Sequence, residues 1–167
     1  DGILVLRSSN VQKNKLTFNN NVFVKGEVPS RVIVEKGDLL ICVRNGSKKL
    51  IGKCALIDEK TAGVAFGAFM SVFRSDVSEF LFYQFQSNII QHQINEAMGA
   101  TINQITNKDM KSFSFLSPDL PDEREAISFL LQKFDEEIDI LENKLSKVKA
   151  IKQGMMQELL TGRTRLI

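Results

Sequence analysis

The last third of the chain carries a regular apolar repeat. Ile127, Leu131, Phe134, Ile138, Leu141, Leu145 and Val148 follow one another at alternating steps of four and three residues, and Met155 and Leu159 resume the rhythm after Lys152. A mean step of about 3.5 residues keeps one seam turned toward a single partner helix, whereas a face repeating at about 3.6 winds away from it. The spacing predicts a coiled-coil helix over 122–160 that pairs with another helix. At a rise of about 1.5 Å per residue it is about 58 Å long, longer than a domain of this size is wide. Lys152 takes the seam position after Val148, where an apolar residue is expected, so pairing is predicted to be tightest before it.

Upstream the period changes. Up to about Arg74, short β-branched and aromatic runs at 22–24, 31–34 and 39–43 are separated by turns containing Gly, Asn and Lys, which is a strand pattern. Asn45-Gly46 lies between 39–43 and 50–57 and predicts a hairpin. The apolar stretch 64–73, with Gly67 inside it, is expected to form another buried strand. Asp76 and Glu79 have capping-box spacing, and Phe82, Phe85, Ile89, Ile90, Ile94, Ala97 and Met98 recur at helical steps to a stop at Gly99. Irregular chain is expected from there to the long helix. The fold class is therefore α+β. A β-rich domain with helices occupies 1–120, and the long coiled-coil spacer helix with a basic tail occupies 121–167.

Charge narrows the partners. From 121 to 143 eight acids stand against Arg124 and Lys133, a net of −6, and from 144 onward six bases stand against Glu158, a net of +5. This gradient suits the helix dipole on its own. It also sets acid against base when two such helices run antiparallel, and like against like when they run parallel, so an antiparallel relative is the expected partner. The first 53 residues hold ten bases against four acids, a net of +6, which points to a polyanion.

The usual enzyme signatures do not appear. Cys42 and Cys54 match neither a redox pair nor a zinc site and read as reduced core thiols of a cytoplasmic protein. His92, the only histidine, lies in a helical segment with no nucleophile motif and reads as a surface or structural residue. Asp58-Glu59 beside Lys60 and Thr61 reads as a solvated turn, and no phosphate-loop or dinucleotide spacing of glycines occurs. No metal site, membrane span or signal peptide is expected. The start at Asp1, without Met, is the mark expected of a piece of a longer polypeptide.

Two segments have the composition of a binding surface. Arg44, Asn45, Ser47, Lys48 and Lys49 offer a bidentate cation, an amide suited to adenine, a hydroxyl and two point charges at a hairpin tip. Lys13 and Lys15 are added as phosphate contacts. A solvated turn has the same composition and stays open as a reading. Gly99, Thr101, Asn103 and Gln104 follow a helix end, where small residues permit close backbone approach and polar ones permit contact; a helix cap and connector is the plain alternative.

The order of several motifs resembles a known family. Lys36-Gly37-Asp38-Leu39-Leu40-Ile41 comes first, then Gly46 and Gly52, then Gly99 and Thr101 with Ile105, then Pro118 and Pro121 ahead of Glu123 and Ile127. Glu158-Leu159-Leu160-Thr161-Gly162-Arg163, with Arg165 and Leu166, closes the chain. Together they resemble the DNA-specificity subunit of Type I restriction-modification systems, the Leu-Leu-Thr-Gly-Arg ending most specifically. The resemblance implies double-stranded DNA as ligand, a methylation subunit and a restriction subunit as partners, and no catalysis or cofactor of its own. S-adenosylmethionine would be bound by the methylation subunit. It also implies that Gly99 and Thr101 lie near the recognition surface. That family has two recognition domains and two antiparallel helices, so this chain corresponds to one half, completed by a second half or by a second copy. Arg124 stands where the family commonly has Gln. The reading kept beside it is a coiled-coil assembly protein whose β-rich domain binds another protein or a non-DNA polyanion.

Overall fold

The computed structural model describes residues 2–99 and 102–167. They form two compact units that divide between Arg124 and Glu125.

Among the described residues, eight short strands and three α-helices precede the long helix. The strands are β1 (Ile3–Leu6), β2 (Val11–Gln12), β3 (Lys15–Leu16), β4 (Phe23–Val24), β5 (Leu39–Cys42), β6 (Cys54–Leu56), β7 (Ala65–Phe66) and β8 (Met70–Phe73). The helices are α1 (Ser78–Gln86), α2 (Asn88–Ala97), α3 (Asn107–Ser112) and α4 (Pro121–Leu160). β1 lies between β4, antiparallel to it, and β7, parallel to it, while β5 lies between β6 and β8 in an antiparallel sheet and β2 and β3 form a hairpin. The α+β expectation is borne out.

β5 is the centre of the first unit. All four of its residues are buried because both of its faces are covered, which is why its sequence is an unbroken apolar run. Leu39 and Ile41 pack with Leu81, Phe82, Phe85, Ile90 and Ile94 of α1 and α2. Leu40 and Cys42 turn the other way, into a cluster with Leu6, Val11, Val34 and Met70. Each such aliphatic side chain contributes about 1.5–3 kcal/mol by leaving water.

Asp38, at the head of β5, is 1% exposed. Its carboxylate accepts from Arg74 Nε at 2.7 Å and Nη2 at 2.8 Å, and from the Glu35 amide at 2.7 Å. Arg74 Nη1 also donates to Glu35 at 2.6 Å, and these carboxylate contacts hold the guanidinium pKa above its usual value. The Asp of the strand motif thus clasps the two strands together at one end of the β5–β8 ladder, where Leu39 pairs with Phe73.

Several local expectations need correction. The run 64–73 is two strands, not one, because Gly67 turns the chain between them, donating to Leu6 O at 2.8 Å and accepting from Met70 N at 2.9 Å. The helix expected to reach Gly99 unbroken is divided at Ser87, an extended residue whose hydroxyl accepts from Ile90 N and starts α2. Asp76 does not cap α1. Val77 holds that place without a side-chain cap, and Ser75 and Ser78 satisfy the turn instead, Ser78 Oγ donating to Ser75 O at 2.7 Å. The segment 31–34 is largely a single 3₁₀ turn at Ser30–Val32 rather than a strand. The chain before the long helix is not wholly irregular, since Thr106 and Asp109 form a reciprocal capping box at the start of α3.

α4 spans 40 residues, about 60 Å at about 1.5 Å per residue. Phe134, Ile138, Leu141, Leu145, Val148 and Met155 of the seam are exposed, while Ile127, Leu131 and Leu159 are partly buried. The Leu-Leu-Thr-Gly-Arg ending is a helix terminator. Gly162 sits at φ +72°, a conformation that favours glycine, and its amide reaches back to Leu159 O at 3.3 Å while Thr164 N reaches Glu158 O at 3.2 Å. Thr161 Oγ1 donates to Gln157 O, and Arg163 pairs with Glu158 at 3.7 Å. No helix among the described residues is long and apolar enough to cross a membrane.

Candidate nucleic-acid interface

The hairpin expected around Asn45-Gly46 exists, with Ile41 facing Cys54 across β5 and β6, but its tip is a structured loop rather than a tight two-residue turn. The loop leaves β5 through Val43 and Arg44 and makes one 3₁₀ turn at Lys48–Leu50. It re-enters at Gly52, whose amide donates to Cys42 O at 2.9 Å. Gly52 has φ +81°, and a Cβ there would lie 2.5 Å from Ile94 Cδ1. Only glycine returns the loop so close to α2.

The two segments singled out by composition lie side by side. Arg44 pairs with Gln104 in an isolated antiparallel bridge, and Ile105 N donates to Val43 O at 2.9 Å. Asn45 N donates to Asn103 O at 3.2 Å, and Asn103 Nδ2 donates to Gly46 O at 3.0 Å. Buried Ile105 anchors this connector in the helix-facing core. The segment after α2 therefore works as a clamp on the loop.

The loop residues take different roles. Arg44 is exposed, with its guanidinium carbon 5.2 Å from the centre of the Phe69 ring. Asn45, expected to read adenine, has both polar atoms occupied: Nδ2 donates to Ser8 Oγ at 3.0 Å and Oδ1 accepts from Ser47 N at 3.0 Å. In this arrangement it shapes the loop. Ser47, Lys48 and Lys49 are exposed. Beneath them, burial pushes the Cys42 thiol up from its ordinary pKa, and its Sγ lies 3.6 Å from Arg44 O.

Lys13 reaches the same side of the unit from the β2–β3 hairpin. Lys13 and Asn14 both have positive φ, 50° and 58°, the geometry of a tight hairpin turn that suits the strands' right-handed twist. Lys13 lines a groove of about 480 Å³ with Ser8, Ser9, Gln12, Leu50 and Lys53. Lys49 and Lys53 line a second one of about 300 Å³ with Asn14, Gly52 and Gln91. Lys15 is exposed on β3.

Gly99 is exposed, and a Cβ there would meet nothing within 4 Å, so no close backbone approach explains it. Thr101 lies outside the described residues. Ser8, Lys53 and Phe69 adjoin this loop and its grooves, although composition does not single them out. Lys53 belongs to the basic excess of the first 53 residues, whereas Phe69 sits inside an apolar stretch that reads as a buried strand. His92, by contrast, is exposed beside Glu96 at 3.3 Å.

The family model described as "Type I restriction modification DNA specificity domain" matches residues 8–150. A structure described as "Structural basis underlying complex assembly and conformational transition of the type I R-M system" is similar with a TM-score of 0.72 and 17% identity, over 99% of this chain and 44% of that one. The HsdS subunit from Thermoanaerobacter tengcongensis is similar with a TM-score of 0.66 and 18% identity, over 94% of this chain and 42% of that one. At these identities the likeness is one of fold. The chain spans less than half the length of either structure.

Proposed function

The chain belongs to the Type I restriction modification DNA specificity domain family, and from that premise we propose that it is a sequence-specific DNA-recognition module directing adenine methylation and cleavage carried out by partner subunits. One observation supports this reading above the rest: the clamp that binds loop 44–49 to 102–105, leaving Arg44, Lys48 and Lys49 exposed. A rigid loop presenting one forked cation and two point charges suits a duplex, where base edges specify and phosphates position. Lys13, Lys49 and Lys53 extend the basic surface along the adjoining grooves.

The chain's own residues bind and orient DNA and perform no chemistry on it. S-adenosylmethionine would be held by the methylation subunit, so this chain carries no cofactor. Its apolar seam from Ile127 to Leu159 would take the antiparallel helix of a second recognition half, or of a second copy, and the paired helices would set the distance between two half-sites. Methylation and restriction subunits complete the assembly, in the cytoplasm.

Selection of bound duplexes from a randomised library, with and without the methylation subunit, tests this. An enriched motif is the expected result. Its absence in both conditions would defeat the reading and leave an assembly protein that binds another protein or a non-DNA polyanion.

A further inference from the structure

Phe69 lies in a stretch whose composition says core, yet it is 51% exposed. Its carbonyl accepts from Val43 N at 3.0 Å and from Arg44 N at 3.2 Å, which ties its backbone to that of Arg44. Gln104 pairs with Arg44 in a further backbone bridge. The ring then lies against the guanidinium, 5.2 Å from its carbon. Among the described residues Arg44 has no carboxylate within ion-pair distance and no side-chain acceptor.

These constraints act together on one side chain. A guanidinium held near an aromatic ring and engaged by no carboxylate keeps N–H groups for a partner, and its fork spacing matches O6 and N7 of guanine. An arginine already ordered also loses less rotamer freedom on binding. Lys48 and Lys49 are compact point charges with none of this fork geometry, so they suit phosphates.

We infer that Phe69 is a positioning residue that presents Arg44 for two-pronged recognition of a single guanine. This rests on the DNA-recognition reading above and names a specificity determinant within it.

The full chain with its methylation subunit is assayed on the duplex enriched by the unsubstituted protein, and on copies in which each guanine in turn is 7-deazaguanine, which lacks the N7 acceptor. Loss of about tenfold in affinity is expected at one guanine, and Arg44→Ala should abolish that sensitivity. Phe69→Leu, which keeps the apolar bulk without the π face, should reduce the sensitivity to less than about threefold, and Phe69→Tyr should restore it. The thermal midpoint should not move in either Phe69 variant, so a change in sensitivity is not a loss of folding. Full sensitivity in Phe69→Leu would overturn the positioning role. Full sensitivity in Arg44→Ala would remove Arg44 as the reader while leaving DNA recognition standing, and failure of the unsubstituted protein to enrich any duplex would overturn both.

Discussion

Asn103 Nδ2 donates to the carbonyl of Gly46 at 3.0 Å across 57 residues of chain. The loop that carries Arg44, Lys48 and Lys49 therefore takes its shape in part from a connector that follows α2. Asn103→Ala removes that donor. Stability should fall by about 1 kcal/mol, a typical net value for one hydrogen bond. The larger effect should be local: hydrogen exchange at the Asn45 amide, which donates to Asn103 O, should accelerate relative to amides of β5. Equal protection in the variant and the parent would show the clamp to be dispensable.

Gly52 is a test of close packing. With φ +81° and a Cβ position 2.5 Å from Ile94 Cδ1, Gly52→Ala incurs both a left-handed backbone and a clash with the core. Together these should cost about 2–4 kcal/mol. Trimming the neighbour in Gly52→Ala/Ile94→Val should return part of the clash energy. A double-mutant cycle with no coupling between the two sites would contradict that geometry.

Cys54 gives the pH prediction. Burial pushes its thiol up to about 12, against about 8.5 in an unfolded chain. Since the folded value is the higher one, its stabilising contribution is complete below about pH 8.5 and is lost as pH rises toward 12. The urea midpoint should decline above about pH 8.5, and less steeply in Cys54→Ala. A thiol reagent at pH 8 should leave Cys54 unmodified until urea unfolds the chain. Reaction in the native protein at the rate of a free thiol would contradict its burial.

How much of this was legible in the sequence depended on how each element is stabilised. β5 declared itself because burial on both faces leaves an unbroken Leu39-Leu40-Ile41-Cys42 run, and α4 because heptad spacing persists over ten turns or so. The break at Ser87 was invisible because α1 and α2 turn toward one core and their apolar positions keep a common rhythm across it. α3 was missed because a helix of six residues started by a polar capping box has too few apolar positions to show a period. At the candidate interface, residue types pointed to the two segments, but their contact did not follow from either alone. That contact depends on Ile105 entering the core and on backbone bonds, which leave no mark on composition. Phe69 was misassigned for a related reason: an apolar side chain at a strand entrance is written the same way whether it turns inward or supports a cation.

The exposed seam of α4 predicts association. Phe134, Ile138, Leu141, Leu145 and Val148 form an uncharged line on the helix surface, and a pair of antiparallel helices would bury it. Leu141→Asp/Leu145→Asp places unpaired carboxylates in that line, which burial disfavours by several kcal/mol. Light scattering should report a dimer for the parent chain and a monomer for this variant. A variant that remains dimeric would relocate the interface away from the seam.

The most direct test of DNA recognition through loop 44–49 is the salt dependence of binding in Lys48→Ala/Lys49→Ala. Each phosphate neutralised contributes about 0.9 to the slope of log affinity against log salt, so removing both lysines should make that slope shallower by about 1.8, equally for enriched and random duplexes. A slope unchanged from that of the parent chain would take the loop out of the interface and contradict the account.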